Sequence, residues 1–369
     1  MTAPLTVTAV EIDGTVTRPL RFGGSPGEAL YAALREAMLK RGCLRDRAHK
    51  GQCMNCALLP QCAVWPIVAP ADPTRRQRGA YVRPFVLRLP EMKAGGAPVG
   101  ARLTYGMTLV QDQTFPALWE AFALAFVQAA IQLAEWGFGL AVREGEQAAR
   151  RGAISVGRVR WVHPITGESE AFTSKSIAPM PPLSATFAPT DDLSTSVDMR
   201  SLSLTFLTPT RLVSGGTTMQ RPEPTVLLHR IAERLDAVAE AVGAEAPHLL
   251  DDTAFTAAIR RLEVRDDTTQ WIGDDARGGF VGSAILAGAP DDLARIAHVL
   301  RWGAALGVGK GTLQGAGRFV VGPVPPTARM TLAAEGPPQP VASPRSKSVP
   351  NAPRTRRPEG GPRHRSRKR

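Results

Sequence analysis

The sequence predicts an α+β protein made of two similar halves, and two observations support that prediction. Segments with strand-like alternation and helical periodicity follow one another in the order β–α–β–β–α–β, and the same order then repeats. Both series also end alike, because a helix, Gly-x-Gly, a further glycine and a strand occur at 133–159 and again at 300–321. This order is that of the ferredoxin-like unit. The predicted fold is therefore two tandem ferredoxin-like domains, residues 1–173 and 199–325.

The first half begins with a half-buried strand, in which Leu5, Val7 and Ala9 alternate with threonines. The next element is a helix, because Ser25, Pro26 and Glu28 form a capping box in front of a helical apolar face that ends near residue 41. The remaining predicted elements of this half are strands at 85–89 and 103–109, a helix at 116–136 and a strand at 154–159.

The second half follows residues 174–198, which are rich in Pro, Ser, Thr and Ala and are predicted to be a linker or a poorly ordered excursion. Its predicted elements are a strand at 202–206, a helix at 227–238, strands at 262–264 and 279–286, a helix at 290–302 and a strand at 319–321. The residues beyond 325 have almost no large apolar side chains, so the segment 326–369 is predicted to be a disordered basic tail.

The composition argues against a membrane protein and favours a nucleic-acid partner. The most apolar segment, 117–141, is interrupted by charged and amide side chains, which favours a buried helix over a membrane span. The N-terminal residues lack the features of a signal peptide, so we expect a cytoplasmic protein with no membrane partner. The net charge is +12, but ten of the 45 Lys and Arg residues lie at 345–369, where Glu359 is the only acidic residue. The folded part is therefore only mildly basic, and local patches must supply specificity.

A glycine-rich loop within 306–321 stands out between a predicted helix and a predicted strand. A lysine in such a loop suggests a phosphate-binding P-loop, which would make the protein a nucleotide-binding switch. A P-loop, however, requires the order strand, loop, helix, with Ser or Thr directly after the lysine. Here Gly311 follows Lys310, and the predicted order is helix, loop, strand. The P-loop interpretation is therefore weak.

The glycine pattern is accompanied by further motifs in a fixed order. These are Thr208-Pro209-x-Arg211-Leu212, Gly215-Gly216, Trp271, Gly278-Gly279, Gly282 and the loop glycines Gly309, Gly315 and Gly317. The set resembles the RAMP superfamily of CRISPR-associated RNA-binding proteins, and within it the repeat-processing endoribonucleases, the sixth Cas family. The resemblance covers most of residues 1–325 and also implies two ferredoxin-like halves.

The resemblance implies a metal-independent endoribonuclease that cuts CRISPR precursor RNA within its repeats, leaving a 5′-hydroxyl and a 2′,3′-cyclic phosphate. Its expected partners are the repeat RNA and, as a further option, other Cas effector subunits. A second interpretation is a RAMP subunit without catalytic activity, which only holds the end of the crRNA in an effector complex.

The loop is also the first candidate RNA-binding site. Only 6% of residues are aromatic, so recognition of RNA backbone and shape is favoured over base stacking on a sheet. Backbone N–H groups in a glycine-rich loop can bind an anion, and basic side chains nearby would add charge. Close packing of a helix on a strand also requires glycine, so a role in packing alone, without RNA contact, stays open as an alternative. The predicted RNA-binding residues of the loop are Gly309, Lys310, Gly311, Gly315, Gly317 and Arg318.

Metal-free cleavage of RNA needs a base, an acid and cations, and histidine serves either proton role near neutral pH. His229 and His298 lie off the apolar faces of their helices and are interpreted as surface residues or, at most, RNA contacts. His49 follows the first helix, is flanked by Arg45 and Arg47, and is the strongest candidate. The resemblance places the catalytic histidine in the same region, often helped by a tyrosine and a lysine, which Tyr31 and Lys50 match. The two arginines are predicted to contact RNA.

The four cysteines fall within an insertion, residues 42–79, that has no clear periodicity. Cys43, Cys53, Cys56 and Cys62 are the only cysteines of the chain, and four thiolates suffice for a tetrahedral zinc site. The spacing is not that of a standard finger, so reduced thiols and an iron–sulfur cluster stay open as alternatives. We expect no cofactor for catalysis and at most one structural zinc.

Overall fold

The computed structural model describes residues 3–23, 25–43, 56, 62, 64, 67, 83–89, 96–111, 116–142, 149–172, 183–188, 201–273 and 278–322. All of these described residues belong to one compact unit. The predicted basic tail and most of the predicted insertion lie outside the described residues.

The first half contains two long helices and a central antiparallel sheet. Its elements are β1 (Ala3–Pro4), β2 (Thr6–Arg18), β3 (Leu20–Arg21), α1 (Pro26–Gly42), β4 (Phe85–Arg88), β5 (Gly96–Ala97), β6 (Arg102–Val110), α2 (Pro116–Trp136), β7 (Phe138–Val142), β8 (Arg150–Val162), β9 (Ser169–Ala171) and β10 (Ser184–Thr186).

Strand β2 lies at the centre of the first sheet, whose order is β4–β6–β2–β8–β7. It is 13 residues long, which is much longer than the predicted strand, and it pairs with β6 on one side and β8 on the other. Val10, Ile12 and Val16 face the core under the helices. Helix α1 begins as predicted, because the Glu28 N–H donates to the Ser25 hydroxyl at 3.5 Å.

The predicted linker contributes a strand, which the sequence analysis did not anticipate. Strand β10 pairs with the start of β2, with Ala185 opposite Val7. The Thr8 hydroxyl donates to the Leu183 carbonyl, and Phe187 is buried. Three alternating residues between prolines are too few to stand out as a strand pattern, so the long-range partner decides the structure.

The second half has a second sheet and three helices among the described residues. Its elements are β11 (Ser201–Thr210), β12 (Val213–Ser214), β13 (Thr217–Thr218), α3 (Pro224–Ala241), β14 (Ala244–Glu245), a 3₁₀ turn (Leu249–Asp251), α4 (Thr253–Arg260), β15 (Glu263–Asp267), β16 (Gln270–Ile272), β17 (Gly279–Ala287), α5 (Pro290–Leu306), a 3₁₀ turn (Thr312–Gln314) and β18 (Phe319–Val321).

The second sheet has the order β15–β17–β11–β18, and these neighbours are antiparallel. The four main strands of each half thus occupy the same positions, with the first strand between the third and the fourth. Helix α5 continues to Leu306, four residues beyond its predicted end. Helix α4 was not predicted; it is short, and the Asp252 side chain caps it by accepting from the Ala254 N–H at 2.8 Å.

The two halves share apolar contacts. Leu5, Val7 and Val110 of the first half belong to the same buried cluster as the core of the second half. In the part of the chain that is described, no helix is long and apolar enough to cross a membrane.

Candidate nucleic-acid site at the junction of the halves

The glycine-rich loop, residues 307–317, connects α5 to β18 and closes on the end of β11. The Val308 N–H donates to the Gly317 carbonyl at 3.0 Å, which joins the two ends of the loop. The Lys310 N–H donates to the Arg211 carbonyl and the Gly317 N–H to the Pro209 carbonyl, each at 3.0 Å. These amides are therefore already used within the protein.

Three of the loop glycines lie where a side chain has no room. A Cβ on Gly309 would lie 2.3 Å from the Arg211 carbonyl oxygen, and one on Gly317 would lie 1.8 Å from the Val308 carbonyl oxygen. A Cβ on Gly315 would lie 2.4 Å from the Leu89 side chain. All three also have positive φ. Close packing therefore explains these three glycines, and RNA contact by them stays a prediction.

The tip of the loop is different, because it is open to solvent. Lys310 and Gly311 are exposed, and a Cβ on Gly311 would first meet the Ala316 side chain at 3.2 Å. Among the described residues Lys310 has no ion-pair partner. Its ammonium group is available to a phosphate.

The loop and the residue after it contact the first half at further points besides Leu89 beside Gly315. A Cβ on Gly27, in the first turn of α1, would lie 1.8 Å from the Gln314 carbonyl oxygen. Arg318, which follows the loop, donates from Nη1 to the Leu89 carbonyl at 2.6 Å. Arg318 was predicted to bind RNA; its observed contact ties the loop to the end of β4, and RNA contact stays a prediction.

A charged cluster lies beside this contact, on the face of the first sheet that is turned away from its helices. Glu11 is 8% exposed, and Arg160 Nη2 lies 2.8 Å from its Oε2. Arg88 Nη1 approaches Glu11 Oε1 at 3.3 Å without the angle of a hydrogen bond. Burial raises the pKa of Glu11, but Arg88, Arg160 and Arg318 together outweigh it, so the net pKa lies below its usual range. Glu11 is therefore a carboxylate at neutral pH, with Arg160 hydrogen-bonded to it and the charges of Arg88 and Arg318 nearby.

Tyr31, predicted to assist catalysis, lies on α1 with its hydroxyl engaged. It donates to the Ile67 carbonyl at 2.9 Å. Its ring stacks on Phe85 with centroids 6.5 Å apart, and the Arg83 guanidinium lies 5.9 Å from the ring centroid. These contacts give Tyr31 a structural role. The other predicted residues of this group, Arg45, Arg47, His49 and Lys50, lie outside the described residues.

His298 corrects the sequence interpretation, which placed it on the surface. Its ring packs 5.1 Å from that of Phe187 and 6.4 Å from that of Trp302, and its Nε2 is buried without a hydrogen-bond partner. Burial and then the charge of Arg301 lower its pKa, while a hydrogen bond with the Ala188 backbone opposes them. The sequence could not show this, because Phe187 and Ala188 come from the segment interpreted as a linker.

The cysteines do not form a metal site among the described residues. Cys43 is exposed at the end of α1, Cys56 and Cys62 are partly buried, and Cys53 lies outside the described residues. Where the structure describes the chain, no three His, Cys, Asp or Glu side chains are grouped as metal ligands. The zinc site stays a prediction.

Comparison with family models finds two matches. Residues 204–319 match the model of the CRISPR-associated endoribonuclease Cas6, and residues 5–179 match a model described as an N-terminal domain. The first match contains the glycine-rich loop, Trp271 and the end of β11. The comparison with curated proteins finds no match.

Solved structures of low sequence identity are also similar. A partial Cas6-RT-Cas1–Cas2 complex has 13% identity and a TM-score of 0.52 over 87% of this chain and 46% of that chain. Thermus thermophilus Cas6 has 17% identity and a TM-score of 0.41 over 86% of this chain and 99% of that chain. A Cas6 product complex has 18% identity and a TM-score of 0.45 over 85% and 99%. At 13% identity the likeness to the first of these structures concerns the fold alone, which is Cas6-like.

Proposed function

This chain is a CRISPR Cas6/RAMP-type protein, and on that premise we propose that it cuts CRISPR precursor RNA within its repeats. The observation that carries the proposal is the match of residues 204–319 to the Cas6 endoribonuclease family, since these residues include the loop at the junction. The strand order of both sheets also supports the finer proposal of two tandem ferredoxin-like halves. We also propose that the protein works in the cytoplasm and that its partners are the repeat RNA and other CRISPR proteins.

The proposed reaction uses only side chains of the protein. A base removes the proton of a ribose 2′-hydroxyl, and the oxygen attacks the adjacent phosphate. An acid protonates the departing 5′-oxygen, which leaves a 5′-hydroxyl and a 2′,3′-cyclic phosphate. We assign one proton role to His49, with Lys50, Arg45 and Arg47 stabilising the charge that develops on the phosphate. One structural zinc, held by the four cysteines near this segment, is part of the same proposal.

The alternative is a subunit that holds the repeat without cutting it. One observation favours it, namely that the Tyr31 hydroxyl already donates to Ile67, so one of the three proposed catalytic groups is engaged. Lys310 at the exposed loop tip would serve binding in either case. The nucleotide-binding interpretation gains no support, because the loop is followed by strand β18 and not by a helix.

Single-turnover cleavage of the cognate repeat RNA in EDTA tests the proposal. We expect cleavage at one position, and His49→Ala slows it by at least about a hundredfold because general acid–base groups contribute about 10²–10⁴-fold. RNA affinity should change far less, and the metal content of the variant must match that of the wild type. Binding without any cleavage would establish the alternative. A variant within about threefold of the wild-type rate would assign the chemistry to another residue.

A further inference from the structure

A groove of about 270 Å³ lies between the outer face of α1 and strand β7, and its lining contains none of the residues assigned to the proposed reaction. Its walls are mostly apolar. Ala29 and Ala32 line it from α1, Leu140 lines it from β7, and Phe22 lies between them. Leu140 is 52% exposed, which is unusual for a leucine with a wall of apolar neighbours, whereas Phe22 is 8% exposed. The groove therefore offers apolar surface to a ligand.

The rim of the groove carries cations. Arg151 lines the groove, Arg150 precedes it on β8, and Arg21 directly precedes Phe22. The pairing of β7 with β8 places Arg151 opposite Ala141, next to Leu140. All three arginines are exposed, and none forms an ion pair with a described residue. The acidic residue of the groove, Glu36, is compensated by Lys40, whose Nζ lies 2.9 Å from its Oε1.

The size and charge of the groove suit one kind of occupant. Drug-sized ligands occupy pockets of about 300–1,000 Å³, and a stable protein interface covers about 800 Å² per partner, so the groove is small for either. One planar ring fits between Leu140 and the α1 alanines, and the exposed arginines would meet negative charges beside that ring. Unpaired RNA presents this combination, because its bases turn out of the chain and stack on side chains while its phosphates remain at the edge.

We propose that this groove binds one unpaired nucleobase of the repeat RNA, with the neighbouring phosphates on Arg21, Arg150 and Arg151. This inference rests on the proposed binding of repeat RNA. It adds a contact for the single-stranded part of the RNA that is separate from the glycine-rich loop.

The test combines a variant that fills the groove with RNAs that lack one base. Ala32 is exposed on α1, so Ala32→Phe should fold and should fill the space. The RNA is the repeat with a 2′-deoxy substitution that blocks the cut, made abasic at each unpaired position in turn. Because stacking contributes a measurable part of binding to single strands, we expect one abasic position to weaken wild-type binding by at least about fivefold. Ala32→Phe should weaken binding of the complete RNA as much and be insensitive to that abasic position.

The second groove variant is Arg151→Glu, and each groove variant has a control on α4, in the other half of the protein. Ala254→Phe changes an exposed alanine on α4 in the other half and should bind like the wild type. Arg151→Glu should lower both the affinity and the salt dependence, whereas Arg260→Glu, an exposed arginine on α4, should change them much less. If Ala32→Phe does not fold, Leu140→Gln replaces it. If neither the variant that changes the apolar wall nor Arg151→Glu changes RNA affinity, the inference is overturned, and the groove would suit another partner, such as an acidic peptide. Failure of the wild type to bind repeat RNA would instead overturn the proposed function.

Discussion

At the scale of single residues, the loop glycines differ in what a methyl group would meet. We expect Gly317→Ala to destabilise the protein by more than about 3 kcal/mol, because its Cβ would lie 1.8 Å from a backbone oxygen and its φ is +71°. Gly311→Ala is the matched control, since Gly311 has a similar φ of +81° but its Cβ would meet a side chain, that of Ala316 at 3.2 Å, and no backbone oxygen; it should cost about 1–2 kcal/mol. Urea unfolding of both variants measures the difference. Equal losses would mean that the loop yields to the added methyl group.

Glu11 gives a second prediction at this scale, because its lowered pKa links stability to pH. A carboxylate whose pKa is depressed on folding stabilises the protein fully above its unfolded pKa of about 4.3, and this stabilisation is lost as the pH falls through the folded value. We expect Glu11→Gln to cost about 1.5–3 kcal/mol at pH 7, since hydrogen bonds to charged groups contribute about that much.

The cost of Glu11→Gln should begin to shrink below the unfolded pKa of about 4.3 and should disappear only below the lower folded pKa, where the wild-type carboxyl is neutral in both states. Glu233→Gln is the control, because Glu233 forms a surface ion pair with Arg230 and should cost at most about 1 kcal/mol. Chemical denaturation at several pH values gives the comparison. A cost of Glu11→Gln that does not vary with pH would contradict the prediction.

Residue-level roles were the least predictable part of the molecule. The sequence identified the glycine-rich loop between a helix and a strand and the N-cap at Ser25 correctly, since both depend on local chemistry. It could not show that Arg318 donates to Leu89 or that Tyr31 donates to Ile67, because these partners lie 229 and 36 residues away. The sequence shows which functional groups are present, but the hydrogen-bond partner of each group depends on tertiary contacts.

At the scale of elements, α5 has a stabilising contact at its end that periodicity does not reveal. Arg234 of α3 donates from Nε to the Leu306 carbonyl at 3.0 Å, and burial lowers the pKa of Arg234 to about 10. The positive side chain lies at the negative end of the helix, directly before the glycine-rich loop. The partner carbonyl explains why α5 continues past its predicted end at Trp302.

We expect Arg234→Ala to destabilise the protein by about 1.5–3 kcal/mol and to loosen the loop, because the Leu306 carbonyl loses its charged donor. Hydrogen exchange of the Val308 and Lys310 amides should become faster. Arg295→Ala removes a more exposed arginine from α5, one that pairs with Asp252 at 3.3 Å, and should cost at most about 1 kcal/mol. Slow exchange of both loop amides in Arg234→Ala would show that this contact does not hold the loop.

Other elements show where periodicity succeeds and where it does not. The long helices and the four main strands of each half were predicted in the correct order, whereas β7, β9 and β16 were not predicted. Strand β10 and helix α4 are short, and their existence depends on β2 and on the Asp252 cap. Elements as short as these could not be predicted from the sequence, because their few residues show no clear periodicity.

At the scale of the whole molecule, the halves are joined by apolar contacts and by charge. Leu5, Val7 and Val110 continue the core of the second half, and Arg318 reaches the end of β4. The repeated element order predicted two halves, but it contained no information on how one half contacts the other. The charge of the chain is also divided, because a large share of the excess lies in the final residues, outside the described part.

This division leads to a prediction about the tail. Removing residues 337–369 should weaken RNA binding and reduce its salt dependence, because flexible Lys and Arg side chains meet phosphates without reading bases. Each lost phosphate contact on single-stranded RNA lowers the slope of log K against log salt by about 0.7.

The matched control is the full-length chain with its ten Lys and Arg residues at 345–369 changed to Gln, which keeps the length and removes the charge. Both variants should still prefer repeat RNA over unrelated RNA by the same ratio as the wild type, since base recognition belongs to the folded halves. The prediction would be wrong if the truncated protein lost its preference for repeat RNA and kept the wild-type salt slope. That result would mean that the tail recognises RNA sequence and does not act through its charge.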